Sequence, residues 1–203
     1  MKIICIGRNY ADHAKELNNP LPTEPVFFHK PDTAYLPAGN DFYIPDFTND
    51  LHYECELVLK IKKVGKNIAE KFASLYYDEV SLGIDFTARD LQEICKEKKL
   101  PWEKAKSFDN SAPMGTHFLP ISQLPKDNIA FTLKKNGQIV QQGNTQDMIF
   151  NFDKIIAYIS QFTTLKTGDL IFTGTPSGVG PVAIGDLLEG YIGEEKILHL
   201  QIK

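Results

Sequence analysis

The chain has 203 residues, 42% of them apolar and 24% charged, with a net charge of -4 at pH 7. That length buries a core without disulfides or a structural metal, and the acidic balance argues against a nucleic-acid binder, which needs clustered Lys and Arg. No apolar run approaches the 18 or so residues of a membrane span, and three cysteines without CxxC spacing (Cys5, Cys55, Cys95) fit neither a secreted disulfide framework nor a thiolate zinc site. The expectation is a single domain over residues 1–203, cytoplasmic and reduced.

The first element is a short strand around Ile3-Ile4-Cys5-Ile6, too brief for a signal peptide. Gly7-Arg8-Asn9-Tyr10-Ala11-Asp12-His13-Ala14-Lys15-Glu16 follows, a helical turn with Asn9 as its expected N-cap and Pro20 as its stop. Leu17 to Asn49 carries six prolines and reads as an irregular wrap crossed by extended pieces such as Val26-Phe27-Phe28. Its first part, Leu17 to Pro25, is expected to close over a site, hinged at Asn18-Asn19-Pro20. Leu51 to Val64 reads as a strand, Ile68 to Tyr77 as a helix and Val80 to Phe86 as a strand. Ala88 to Lys98 is a helix with Thr87 as N-cap, a Leu91/Ile94/Cys95 stripe and Pro101 beyond its end.

Asn136-Gly137 between Ile129–Lys134 and Gln138–Gln142 marks a hairpin with a primed turn. Phe152, Ile155, Ile156 and Ile159 mark an amphipathic helix up to about Phe162. Seven of the 14 glycines fall between Gly168 and Gly193, punctuating short strands. A mixed α+β fold follows, mainly β, with a few peripheral helices; the ordered alternation of a doubly wound sheet is absent.

The most informative stretch is His52-Tyr53-Glu54-Cys55-Glu56-Leu57-Val58-Leu59. Residues two apart on a strand share a face, so Glu54 and Glu56 project together while Tyr53, Cys55, Leu57 and Leu59 face the other way. Two carboxylates ~7 Å apart repel by about 2.4 kcal/mol at an effective dielectric near 20. Such a face is wet, or holds a proton, or holds a cation. Asp85, at the end of the apolar run Leu82-Gly83-Ile84, would be costly to bury without a partner. Three carboxylates and no thiolate make a hard oxygen site, suited to Mg2+ or Mn2+. His52 reads as a rim residue rather than a fourth ligand.

Other signals are weaker singly. His13 and Glu16 are i, i+3 neighbours, the spacing of a base and the carboxylate that orients it, and equally of an ordinary surface pair. Arg89 and Gln92 lie away from the Leu91/Ile94/Cys95 stripe, facing either water or a site near Asp85. Lys106 has no distinguishing context of its own. Thr173-Gly174-Thr175-Pro176-Ser177-Gly178 lacks both the P-loop and the dinucleotide pattern; it is either a plain turn or one whose N–H groups and Thr175 hydroxyl hold a small anion.

Five blocks in order, GRNYADHAKE, HYECEL, GIDFTARDLQ, PWEKAKSFDNSAPMG and LKTGDLIFTGTPSGVGP, are similar to the fumarylacetoacetate hydrolase family in its short single-domain branch. The resemblance covers nearly the whole chain and implies a β-sandwich roll and a homodimer. It implies metal ligands at Glu54, Glu56 and Asp85, a His13–Glu16 dyad, an active-site Lys106, and substrate contacts from Arg89, Gln92 and Thr175. The implied enzyme is Mg2+- or Mn2+-dependent and acts on small 2-oxo acids, by acylpyruvate hydrolysis or oxaloacetate decarboxylation first, and isomerisation or tautomerisation second. In hydrolysis, His13 would take a proton from water and Lys106 would stabilise the oxyanion. A binder of oxo acids without catalysis is the reading of another class; it has no use for the dyad.

Overall fold

In the computed structural model, which describes residues 1–16, 21–125 and 127–203, the apolar strands meet in one mixed sheet. β1 (Ile3–Gly7), β2 (Val26–Lys30), β4 (Cys55–Ile61), β5 (Tyr77–Ile84) and β8 (Leu170–Phe172) lie in the order β2-β1-β8-β4-β5, with Leu119–Pro120 at the far edge. Within it only β1 and β8 run parallel. A second, antiparallel sheet of β6 (Ala130–Lys135), β7 (Gln138–Asn144), β9 (Leu187–Ile192) and β10 (Glu195–Gln201) has the order β7-β6-β9-β10. β3 (Leu51–Tyr53) pairs with Gly180–Pro181 on one side and Thr87–Ala88 on the other.

Alternation on β4 decides what faces what. Cys55, Leu57, Leu59 and Ile61 enter the main core, while Val58 joins a smaller cluster with Ile3, Cys5 and Phe172 on the opposite face. Two glycines permit the close approaches this requires. A Cβ at Gly83 would lie 2.6 Å from the Phe172 ring, and one at Gly190 would lie 2.9 Å from Leu82 Cδ1. The hairpin between β6 and β7 turns through Asn136 (φ 53) and Gly137 (φ 79), both left-handed as a primed turn demands.

Four α-helices lie among the described residues, α1 (Ala11–Glu16), α2 (Arg89–Glu97), α3 (Glu103–Lys106) and α4 (Phe152–Phe162), beside short 3-10 helices. α4 matches its periodicity, burying Ile155, Ile156 and Ile159, and the Asn151 side chain caps it by accepting from the Lys154 N–H at 2.9 Å. None of the described helices is long and apolar enough to cross a membrane. All three cysteines are free and buried. Residues 17–20, and with them the Asn18-Asn19-Pro20 hinge of the expected closing segment, lie outside the described residues.

Several local expectations are corrected. The strand read over Leu51 to Val64 breaks at Glu54 and ends at Ile61, because the Glu54 carbonyl leaves the ladder to accept the Asp85 N–H at 2.8 Å. The helix read over Ile68 to Tyr77 is a 3-10 helix, Glu70–Tyr76, held at its start by Ser160 Oγ on Ile68 N; β5 begins at once, at Tyr77 rather than Val80, and ends at Ile84. Its longer rise per residue spans that tethered gap. Ala88, not Thr87, holds the N-cap position of α2; both residues pair with β3, Thr87 with His52 and Ala88 with Leu51, and the helix opens at Arg89. The buried face of α2 is Arg89, Gln92 and Cys95, and Ile94 is 43% exposed.

Asn9 is not a helix cap. Fully buried, it donates from Nδ2 to the carbonyls of Thr173 (2.8 Å) and Phe150 (3.0 Å) and accepts the Phe150 N–H at 2.8 Å. It therefore pins the entry of α1 to β8 and to the start of α4. Asn9→Ala strands three buried backbone groups and should destabilise the fold by about 2–4 kcal/mol, whereas exposed Asn40→Ala should stay within about 0.5 kcal/mol. Urea unfolding of the two variants checks this; equal midpoints would show that Asn9 is not the strut.

Candidate active site

Glu54, Glu56 and Asp85 are buried and each offers an oxygen within 4.8 Å of the others. The backbone arranges this. Glu54 sits in the break between β3 and β4, Glu56 follows on the same face, and Asp85 is the first residue past β5. Glu56 pairs in register with Gly83, whose missing side chain lets the Phe172 ring pack against that strand.

Three cations pair with two of the three acids, Glu54 and Asp85. Lys106, the last residue of α3, places Nζ 2.9 Å from Glu54 Oε2 and 2.6 Å from Asp85 Oδ2. Arg89, opening α2, donates to Glu54 Oε1 and to Gln92 Oε1, both at 2.7 Å. Lys30, at the end of β2, lies 2.8 Å from Asp85 Oδ1 and donates to Ser111 Oγ, Ser111 O and the Lys106 carbonyl. Its approach to Asp85 Oδ1 is an ion pair outside hydrogen-bond geometry, so that buried oxygen accepts no hydrogen bond.

This environment divides the carboxylates. Burial alone would raise Glu54, but Lys106 and Arg89 outweigh it and hold the carboxyl well below the usual range. Burial, then Asp85 and Glu54, push the Glu56 carboxyl well up, against the opposing Gly174 N–H and Lys106. Burial also works against the Lys106 ammonium, yet Asp85 and Glu54 prevail and hold it above the ordinary lysine value.

His13 is buried on α1, with Nδ1 3.1 Å from Glu16 Oε2. A carboxylate only accepts, so Nδ1 is the donor in this contact and Nε2 is the ring nitrogen left to act as a base. The glycine-rich turn after β8 works differently from a free-anion loop. The Gly174 N–H donates to Glu56 Oε2 at 2.7 Å and the Gly178 N–H to Glu16 Oε1 at 3.0 Å. Its anions are the chain's own carboxylates. The Thr175 hydroxyl donates to the Cys55 carbonyl and accepts from Gln141 Nε2, each at 2.8 Å.

One cleft gathers His13, Glu54, Glu56, Asp85, Arg89, Gln92, Lys106 and Thr175. Glu16 reaches it through His13. His52 stands apart, paired with Asp50 at 2.8 Å. Three further cleft residues, Arg8, Lys96 and Trp102, went unread in the sequence, as did Lys30. For Lys30 a signal exists: it shares the apolar face of β2 with Phe28, and a lysine there needs a buried acid. The donor set fits a divalent cation, being all hard oxygens, with Asp85 Oδ1 unbonded and Glu56 lacking a cationic partner in contact.

Residues 2–201 match the family model described as fumarylacetoacetate (FAA) hydrolase C-terminal. Oxaloacetate tautomerase FAHD1, mitochondrial, of Bos taurus is 44% identical over 202 residues, covering 99% of this chain and 90% of that one. Oxaloacetate decarboxylase, mitochondrial, of Dictyostelium discoideum is 45% identical over 190 residues, covering 93% and 87%. The crystal structure of fumarylpyruvate hydrolase from Pseudomonas aeruginosa in complex with Mn2+ and pyruvate superposes with a TM-score of 0.93 at 36% identity, covering 100% of this chain and 89% of that one.

The raised Glu56 carboxyl makes cation binding pH-dependent. A cation bound there displaces a proton wherever pH lies below that raised value, so Mg2+ affinity should climb with pH and level off above it. Calorimetric titrations in two buffers of different ionisation enthalpy should register proton release that fades as pH rises. A flat affinity without proton release would contradict the assignment of Glu56.

Proposed function

The chain belongs to the fumarylacetoacetate hydrolase family, and from that premise we propose that it is a divalent-cation-dependent enzyme that interconverts enol and keto oxaloacetate. The resemblance read from the sequence puts C–C cleavage first; the relatives named oxaloacetate tautomerase move tautomerisation ahead of it. The observation that carries the reading is His13, buried and held by Glu16, in the same cleft as three carboxylates and four cations, Arg8, Arg89, Lys96 and Lys106. A base serves proton transfer, and the cations suit a substrate with two carboxylates. Decarboxylation is the second reading, supported by the Dictyostelium relative; fumarylpyruvate-type hydrolysis ranks behind it, supported by the Pseudomonas structure. The proposal takes residues 1–203 as one catalytic domain, cytoplasmic and homodimeric.

Glu54, Glu56 and Asp85 would hold Mg2+ or Mn2+, which supplies Lewis-acid stabilisation of charge developing on the 2-oxo oxygen. His13, its Nδ1–H held by Glu16, takes a proton from C3 of the keto acid through Nε2 and delivers it to the 2-oxo oxygen to give the enol; in the reverse direction it takes the enol O–H proton and returns it to C3. Glu16 stabilises the imidazolium in between. Lys106 keeps its proton, so it steadies negative charge without exchanging. Arg89, anchored by Glu54 and Gln92, orients the substrate carboxylate, and Thr175 borders the same face.

The test follows the ultraviolet absorbance of enol oxaloacetate with Mg2+ and with EDTA, while pyruvate release is measured in parallel. Metal-dependent loss of enol without equivalent pyruvate is expected; pyruvate matching the enol lost would favour decarboxylation. His13→Ala should cost about 10²- to 10⁴-fold in kcat with Mg2+ affinity within about twofold, a change too small to mark a lost ligand. Glu54→Ala should lose both. A silent His13→Ala would remove the dyad from the mechanism.

A further inference from the structure

Arg89, Gln92 and Lys96 stand at i, i+3 and i+7 on α2, one face of the helix, and all three border the cleft. The first two are committed: Arg89 to Glu54 and Gln92, and Gln92 to Arg89. Lys106 and Lys30 are committed to the acids in the same way. Lys96 is half-buried, yet among the described residues no carboxylate lies within ion-pair distance of it and its ammonium makes no hydrogen bond. It sits one turn beyond Gln92, about 6 Å along the helix axis, on the side of the cleft away from Arg89.

The lining is not neutral. Four cations (Arg8, Arg89, Lys96, Lys106) line the cleft with three acids (Glu54, Glu56, Asp85), and Lys30 pairs with Asp85 as well, so positive charge is in excess before any divalent cation adds two. A site so charged favours an anion carrying more than one negative charge. In oxaloacetate the second carboxylate is two bonds from the reacting carbonyl and points away from the 2-oxo acid end, which Arg89 and the three acids engage.

We propose that Lys96 binds this second carboxylate and sets a preference for dicarboxylic over monocarboxylic 2-oxo acids, an inference that rests on the reading of the cleft as a 2-oxo acid site. Burial, together with Arg89 and Arg8, already disfavours the free ammonium, and a bound carboxylate relieves that strain. The role is one of specificity: Lys96 touches the end of the substrate that does not react.

Oxaloacetate and acetylpyruvate differ only in carboxylate against acetyl at that end. Lys96→Met should lower kcat/KM for oxaloacetate about tenfold or more, mainly through KM, as expected for a lost charged hydrogen bond. Acetylpyruvate should change less than about twofold, and Lys96→Arg should restore most of the preference. A binding arm separates this inference from the proposed reaction. Trp102, the only tryptophan, borders the same cleft, so its fluorescence can follow 2-oxoglutarate and 2-oxovalerate binding to the Mg2+-loaded protein. The wild type should prefer the dicarboxylate, and Lys96→Met should erase that preference. If neither oxaloacetate nor acetylpyruvate is consumed, the proposed reaction fails while the binding ratio still decides Lys96. Equal losses for both members of a pair, or none for either, would overturn the role of Lys96.

Discussion

Glu54, Glu56 and Asp85 are carboxylates taken out of water within 4.8 Å of one another, and the fold around them is arranged to make that tolerable. An isolated buried carboxylate costs several kcal/mol, and like charges together cost more. Lys106 therefore bridges Glu54 and Asp85, Arg89 takes the other Glu54 oxygen, and Lys30 is buried entirely to face Asp85. Glu56, with only a backbone N–H in contact, has its carboxyl pushed well above the usual range by burial and by Asp85 and Glu54. Without a cationic partner on Glu56 the cluster is not a closed ion-pair network, and its oxygens fit a divalent cation.

Several oddities of the secondary structure follow from the same demand. The β3–β4 strand breaks at Glu54 because its carbonyl is needed by the Asp85 N–H, which ties two of the acids through the backbone. α2 turns Arg89 and Gln92 inward and leaves Ile94 exposed, because pairing a buried carboxylate is worth more than covering one isoleucine. The glycine-rich turn after β8 joins the acids to the dyad, since Gly174 and Gly178 present N–H groups to Glu56 and Glu16. Gln141 reaches from the second sheet to the Cys55 N–H, the Thr175 hydroxyl and the Pro176 carbonyl, locking that turn against β4. The Glu16 and Glu56 carboxylates are thus held by one stretch of backbone, which suits the proton transfer proposed for His13.

Much of this was legible locally. Periodicity placed β1, the Asn136-Gly137 hairpin and α4, because each is specified by neighbours within a few residues. The Glu54/Glu56 pair stood out because a strand puts both on one face. Asn9 was misread as a cap because Asn suits both roles, and the choice is made by Phe150 and Thr173, 141 and 164 residues away. Lys30 and Lys96 escaped because lysine on a surface and lysine in a site look alike until their partners are known. The apolar stripe of α2 identified the helix and the wrong face, since periodicity ranks faces by hydrophobicity and takes no account of a waiting carboxylate.

The sequence by itself determined the kinds of element, the mainly β character and the chemistry of the donors: three hard carboxylates, an imidazole with an adjacent acid, and no thiolate site. Those properties reside in residue type and short-range spacing. Only the tertiary structure decided that Lys106 lies between Glu54 and Asp85, that the glycine-rich turn grips Glu56 and Glu16, and that four cations share the cleft with the acids. These pairings join residues 21 to 162 positions apart. Over such distances nothing periodic links the partners, and the ionic interactions that fix them exist only once burial has removed the water that would otherwise screen each charge.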